Sequence, residues 1–156
     1  MTHHRRRNNG TDPSKINETV ELSPAQRYAA FKQTQAKQRT VAAEFARSMP
    51  FELDEFQMQA NDALEAGDNV LVAAPTGAGK TVAADFAIYL AQTRNVKAFY
   101  TTPIKALSNQ KYHDLVDQYG TDKVGLLTGD TSINSEADIV VMTTEVLRNM
   151  LYEHSV

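Results

Sequence analysis

Short apolar runs alternate with longer amphipathic stretches from residue 51 onward. The apolar runs have the length of strands, and we predict strands at residues 70–74, 96–101, 123–127 and 138–142. The amphipathic stretches have helical periodicity, and we predict helices at residues 79–92, 104–119 and 145–153. This alternation is typical of a parallel sheet covered by helices on both faces, so residues 49–156 are predicted to form an α/β fold.

The first 48 residues have a different pattern. Residues 1–22 are polar and lack an apolar period that could offset the entropy cost of ordering them, so we predict a flexible tail. Its basic cluster at residues 3–7 suits either a solvated terminus or a contact with nucleic-acid phosphates. Ser23 and Pro24 are typical of a helix start, and we predict one helix over residues 23–48, ending near Arg47, on the outside of the core.

Composition limits the classes of function. The chain has 156 residues, of which 42% are hydrophobic and 22% charged, and its net charge is -3. These values exclude a highly charged disordered polymer and a uniformly basic nucleic-acid coat protein. The sequence contains no cysteine, which excludes disulfides and cysteine-based zinc sites. No apolar run approaches the roughly 20 residues that cross a bilayer, so we expect a cytoplasmic protein without a membrane partner.

The segment between the first predicted strand and helix carries a phosphate-binding pattern. Glycines there let the backbone turn tightly and direct N–H groups at an anion. Lys80 would reach the β- and γ-phosphates as the candidate catalytic residue, and the Thr81 hydroxyl would bind Mg²⁺. Ala74 stands where the general pattern has glycine. The candidate cofactor-binding residues of this loop are Pro75, Thr76, Gly77, Ala78, Gly79, Lys80 and Thr81.

Further motifs place this loop in a family. Phe-Glu-Leu-Asp-Glu-Phe-Gln precedes it at 51–57, and Thr-Pro-Ile-Lys-Ala at 102–106, Leu-Thr-Gly-Asp at 127–130 and Thr-Thr-Glu-Val-Leu-Arg at 143–148 follow it. In this order and spacing they resemble the first RecA-like lobe of superfamily 2 DExH-box helicases, especially the superkiller and exosome-associated RNA helicases and their bacterial HelY-type members. The resemblance extends over about residues 51–152. It implies an ATP-dependent RNA helicase that uses Mg²⁺ and binds single-stranded RNA.

The resemblance also implies roles for individual residues. Gln57 matches the glutamine that pairs with adenine, which implies ATP rather than GTP, and Phe51 matches the aromatic residue beside the base. Thr144 is expected to cap the helix that follows it, with Arg148 one turn along. The residues implied in backbone contacts with nucleic acid are Thr102, Pro103, Lys105, Ala106, Thr128, Gly129, Thr144 and Arg148. Such contacts would be sequence-independent and salt-sensitive.

Hydrolysis in this family needs an apolar strand that ends in Asp-Glu. The only adjacent Asp-Glu pair, Asp54 and Glu55, lies before the phosphate loop and is predicted to start a helix. We therefore expect residues 49–156 to form a C-terminally truncated first lobe with an exposed sheet edge. Such a chain lacks the second lobe, and we expect it to bind nucleotide without turning it over.

Other interpretations of the same residues remain open. A DNA helicase would share the backbone contacts, because these distinguish the sugars poorly. A P-loop kinase, a small-molecule transferase or a nucleotide-binding interaction module would share only the phosphate loop. Gln57 could be exposed on a helix that buries Phe51 and Phe56. The hydroxyls and cations of the later motifs could be ordinary helix caps and solvated charges.

Overall fold

The computed structural model describes residues 23–153, apart from the side chains of residues 34–38. The predicted flexible tail therefore lies outside the described residues. The chain divides into two units, Met1–Gln38 and Arg39–Val156. The described part of the first unit is helix α1, Pro24–Gln38. Ser23 starts it as predicted, because its hydroxyl accepts from the Gln26 N–H while its own N–H donates to the Gln26 side chain.

The helix predicted over residues 23–48 is interrupted, so the prediction of one helix is wrong. A second helix, α2, spans Val41–Ser48, and Thr40 before it is extended and accepts a hydrogen bond from the Ala43 N–H. The Glu65 carboxylate accepts from the N–H groups of Val41 and Ala42 at 3.0 and 2.8 Å. These bonds satisfy donors at the start of α2 that would have no partner inside the helix.

The remaining described elements form an α/β unit with a mixed sheet. The helices are α3 (Glu55–Ala66), α4 (Thr81–Thr93), α5 (Lys105–Tyr119) and α6 (Thr144–Glu153). The strands are β1 (Ala98–Thr102), β2 (Val124–Leu127), β3 (Ser132–Ile133) and β4 (Ile139–Thr143). The strand order is β1-β4-β2-β3, with β4 parallel to both β1 and β2 and β3 antiparallel to β2. The three parallel strands confirm the predicted α/β class, and β3 was too short to predict.

The strand predicted at residues 70–74 is not formed. These residues lie in the irregular segment between α3 and α4, and Leu71 is 94% exposed. A strand requires hydrogen bonds to a neighbouring strand. Over residues 23–153 the four observed strands pair only with one another. The strand at residues 70–74 was predicted from apolar composition alone, but residues 23–153 contain no neighbouring strand that pairs with it.

Strand β4 lies at the centre of the packing. Its residues alternate between two apolar clusters, as expected for a strand buried on both faces. Ile139 and Val141 pack with residues that include Leu115 of α5, while Val140 and Met142 pack with residues that include Leu147 of α6. Helices therefore cover both faces of the sheet, which confirms the layered arrangement predicted from the sequence.

The connections of the sheet put several loops at one edge. Residues 94–97 join the end of α4 to the start of β1, so the start of α4 lies toward the carboxyl end of β1. Helix α5 starts shortly after β1 ends, and α6 starts directly after β4. In open parallel sheets, ligands bind outside the carboxyl ends of the strands. The carboxyl edge of the sheet is therefore the candidate position of a ligand site.

Phe86 of α4 provides a test of the core around α2 and α4. It is fully buried, and its ring centroid lies 5.3 Å from that of Phe45. We expect Phe86→Ala to lower the free energy of unfolding by about 3–5 kcal/mol, because a large cavity replaces the ring. Urea unfolding followed by circular dichroism measures this change. Phe86→Leu is the milder variant if the alanine variant does not fold.

Tyr152→Ala is the matched control, since this aromatic side chain is 70% exposed. We expect it to change the free energy of unfolding by no more than about 0.5 kcal/mol. Equal losses in the two variants would contradict the assignment of Phe86 to the core.

Candidate functional site at the carboxyl edge of the sheet

The predicted phosphate loop forms a compact turn before α4. Gly77 and Gly79 have φ of 85° and 74°, in the left-handed region that other residues adopt only at a cost. The turn is closed by bonds from the Ala78 N–H to the Pro75 carbonyl and from the Val82 N–H to the Gly79 carbonyl. Helix α4 begins immediately afterwards, at the exposed Thr81. Backbone N–H groups at such a helix start carry partial positive charge and suit an anion.

Lys80 folds back over this loop. Its Nζ donates to the carbonyl oxygens of Ala74 at 2.6 Å and Pro75 at 3.0 Å, and its side chain is exposed. An ammonium group has three donors, and these carbonyls use two of them. The lysine charge is therefore held beside the loop at which the sequence analysis placed the phosphates.

Gln57 joins α3 to the phosphate loop. Its side chain is 4% exposed, and the amide nitrogen donates to the Gly79 carbonyl at 3.0 Å. The amide oxygen accepts from the Asp54 N–H at 2.8 Å, which confirms that Asp54 and Glu55 start a helix. The alternative of an exposed Gln57 is thus wrong. Phe51 lies before α3 and is 51% exposed, so it is not a core residue.

Hydroxyl groups connect the ends of two neighbouring strands. Thr102, at the end of β1, is 7% exposed, and its hydroxyl bonds to the Ile104 carbonyl at 2.9 Å and the Ser108 hydroxyl at 2.7 Å. The Thr144 hydroxyl donates to the Thr102 carbonyl at 3.1 Å. Thr144 therefore links the start of α6 to the end of β1, instead of capping its own helix as expected from the sequence. Ser108, fully buried, was missed because a serine inside a helix gives no local signal.

A carboxylate connects two of the predicted nucleic-acid motifs. Asp130 Oδ2 lies 2.6 Å from Lys105 Nζ, and Asp130 Oδ1 accepts from the Thr128 hydroxyl at 3.0 Å. The bond from Lys105, and then that from Thr128, hold the pKa of the Asp130 carboxyl below its usual range. Asp130 is therefore ionised at neutral pH. It was not predicted as a site residue, although it follows Thr128 and Gly129 directly in the sequence.

The other residues predicted to contact nucleic acid lie on the surface of the same edge. Arg148 lies one turn along α6, 61% exposed, with its Nη2 3.8 Å from Glu145 Oε1. The three sequence blocks follow β1, β2 and β4, which are neighbours in the sheet, so the fold brings together residues that are up to about 45 positions apart in the sequence. The exposed members of this edge are Pro103, Lys105, Ala106, Gly129, Thr144 and Arg148.

The described residues contain neither a cluster of metal-ligating side chains nor a membrane-spanning helix. Between residues 23 and 153, no three histidine or acidic side chains form a group suited to a metal ion. None of the helices in this range is both long enough and apolar enough to cross a membrane.

Comparison with known proteins gives a consistent result. The profile of the DEAD/DEAH box helicase family matches residues 54–156. A "Probable helicase HelY" from Mycobacterium tuberculosis is 62% identical over 111 residues, which are 71% of this chain and 12% of that protein. The "Antiviral helicase SKI2" of Saccharomyces cerevisiae is 55% identical over 107 residues, 69% of this chain and 8% of that protein. The chain thus spans about an eighth or less of the length of these relatives.

A solved structure shows the same fold. The hypothetical ATP-dependent RNA helicase from Sulfolobus tokodaii superposes with a TM-score of 0.53 and 28% sequence identity. The match covers 74% of this chain and 37% of that one. The mixed sheet with flanking helices is therefore a RecA-like fold of the kind found in helicases.

The two glycines of the phosphate loop give a matched pair of variants. A Cβ on Gly79 would lie 2.5 Å from the Gln57 amide nitrogen, whereas a Cβ on Gly77 would meet nothing within 4 Å. Both alanine variants adopt an unfavourable φ, which costs about 1–3 kcal/mol. We expect Gly79→Ala to lose more unfolding free energy than Gly77→Ala, because it also displaces Gln57. Urea unfolding of both variants measures the difference, and equal losses would mean that the contact between Gln57 and the loop does not form.

Proposed function

Because the chain belongs to the DEAD/DEAH box helicase family, we propose that it is the nucleotide-binding part of an ATP-dependent RNA helicase. One observation supports this proposal: the loop predicted to bind phosphate precedes α4 toward the carboxyl edge of the sheet, and the three motifs predicted to contact nucleic acid follow strands that end at that edge. A helicase has to bind its nucleotide and its nucleic-acid strand on the same rigid domain, so that a structural change at the nucleotide site also moves the residues that bind the strand. Since ATP is an intracellular nucleotide, a cytoplasmic location is part of the same proposal.

The nucleotide would be held mainly through its phosphates. Backbone N–H groups of Thr76, Gly77, Ala78 and Gly79 would surround the phosphates, with Pro75 shaping the turn and the Lys80 ammonium adding positive charge. Thr81 would give Mg²⁺ its hydroxyl, and one protein ligand suits this ion, which keeps waters and binds phosphate oxygens in such sites. Bound Mg²⁺ would offset charge on the phosphates.

The base would be recognised by Gln57 and Phe51. The amide of Gln57 makes one bond through its nitrogen and one through its oxygen. A side-chain amide has two donors and two acceptor lone pairs, so each atom has capacity for one further bond. Adenine presents a matching donor and acceptor pair, which supports ATP. The exposed ring of Phe51 offers a face against which the base would pack.

The single strand would be held by its sugar-phosphate backbone. Lys105 and Arg148 would supply positive charge, and the exposed Pro103, Ala106 and Gly129 would allow close approach of the strand. Thr128, which is 7% exposed, and Thr144, whose hydroxyl donates to the Thr102 carbonyl, would hold the edge in shape for the strand. Thr102 would act from beneath, because its buried hydroxyl holds the turn that leads into α5. RNA is proposed as the strand because the Sulfolobus tokodaii protein of the same fold is described as an RNA helicase.

Lys80→Ala tests the nucleotide site. We expect the affinity for Mg-ATP to fall by about 10- to 100-fold, the order of magnitude of one or two hydrogen bonds from a charged group. Isothermal titration calorimetry measures it. Lys97→Ala is the control, because Lys97 lies before β1 at the opposite end of the strand and pairs with Glu136. Unchanged affinity in Lys80→Ala would reject the phosphate loop.

Salt dependence tests the nucleic-acid edge. We expect labelled single-stranded RNA to bind at low salt and to dissociate as salt increases, with Lys105→Ala and Arg148→Ala each reducing the slope of log affinity against log salt by about 0.7. Fluorescence anisotropy measures this, with Lys97→Ala as the control of equal charge change. The same titration with single-stranded DNA shows whether the edge distinguishes the two sugars. Absence of binding at low salt would reject the helicase assignment of these residues.

A further inference from the structure

The side chain of Asp130 occupies a donor that the proposed function assigns to nucleic acid. Its two carboxylate oxygens accept from the Lys105 ammonium and the Thr128 hydroxyl at 2.6 and 3.0 Å. The Thr131 hydroxyl also donates to Asp130 Oδ1, at a distance of 3.5 Å. The turn that carries Asp130 is closed by a bond from the Thr128 N–H to the Thr131 carbonyl at 2.8 Å. Asp130 therefore connects the motif after β1 to the motif after β2.

A carboxylate and a backbone phosphate present the same chemistry to these donors. Each offers negatively charged oxygens that accept from an ammonium and a hydroxyl. Lys105 and Thr128 thus already bind an anion that belongs to the chain. A phosphate that contacts the Lys105 ammonium has to displace Asp130 or share the ammonium with it.

The exposure of the pair makes such an exchange accessible. The side chains of Lys105 and Asp130 are 48% and 66% exposed, whereas Thr128 is 7% exposed, so the exchange takes place at the Lys105 ammonium. Exposed ion pairs are weak, because water screens them and both side chains lose freedom when they pair. Asp130 would weaken strand binding at this point without preventing it, and its own charge would repel the strand.

From this geometry we propose that Asp130 competes with nucleic-acid phosphates for the Lys105 ammonium, and so keeps the strand's contact with this edge weak. The inference rests on the strand binding proposed above and concerns its regulation. Weak contacts suit a helicase, because a nucleic-acid strand that moves along the protein must break each backbone contact as readily as it forms the next one.

Asp130→Asn tests the competition directly. Asparagine keeps the size of the side chain and an oxygen that accepts from Thr128, but it removes the charge that holds Lys105. We expect the chain to bind labelled single-stranded RNA about three-fold more tightly at low salt, the order of magnitude of one exposed charge contact. In the Lys105→Ala background, Asp130→Asn should give a much smaller gain, because the competed cation is gone.

Glu136→Gln is the matched control for net charge. Glu136 pairs with Lys97, and both residues precede the amino ends of strands, away from the proposed edge. Both substitutions remove one negative charge from an exposed ion pair. Tighter binding in Asp130→Asn alone supports the inference, whereas equal gains would reflect net charge only and would overturn it. Far-UV circular dichroism and urea unfolding establish that all variants are folded.

The remaining outcomes separate this inference from the proposed function. Weaker binding in Asp130→Asn would mean that the carboxylate positions Lys105 for the phosphate, which overturns the competition. Unchanged binding, in a chain whose affinity still depends on Lys105, would overturn the competition and leave the strand-binding function standing. If the unaltered chain binds Mg-ATP but no oligonucleotide, the strand-binding function and the competition are both rejected.

Discussion

The parallel pairing of β4 with both β1 and β2 is the constraint on which the candidate site depends. In this register Thr102 lies opposite Thr143 and Leu127 lies opposite Met142, so the three strands end at nearly the same level. Side chains of β4 are buried on both faces, and a slip of one residue would exchange the two faces. The packing of β4 thus specifies the register, and the register specifies which residues emerge together at the carboxyl edge.

The carboxyl edge combines a network of hydrogen-bonded hydroxyl groups with charged side chains on its surface. Thr102 and Ser108 are buried and bonded to each other, and Thr144 bonds back to the Thr102 backbone. Buried polar groups that are fully paired rigidify their surroundings. Lys105 and Arg148, by contrast, are exposed and held only by weak ion pairs. A rigid base with exchangeable charges is a physically reasonable arrangement for a surface that holds a moving strand.

The bond between Gln57 and Gly79 makes a second connection, between the start of α3 and the phosphate loop. The amide is buried, so loss of this bond would leave a donor without water to replace it, and that penalty keeps the loop attached. The glycine at position 79 serves this contact in two ways. It adopts a positive φ, and it has no Cβ where the amide approaches. The residue proposed to recognise adenine therefore also supports the loop proposed to bind phosphate.

The sequence by itself determined the local features of this protein. Alternating apolar and amphipathic segments located β1, β2, β4 and helices α4, α5 and α6 within two residues of their observed ends. The spacing of glycines predicted the tight turn before α4, and the order of motifs predicted the family. These features depend on period, backbone freedom and residue order, which are properties of neighbouring residues.

Only the tertiary structure decided which distant residues form hydrogen bonds and ion pairs with each other. Glu65 caps α2, Gln57 bonds to Gly79, Asp130 pairs with Lys105, and Thr144 bonds to Thr102, across separations of 22 to 42 residues. Residues 70–74 have the composition of a strand, yet no neighbour pairs with them among the described elements. A hydrogen bond or ion pair requires two groups at a defined distance, and that distance exists only after the elements have packed.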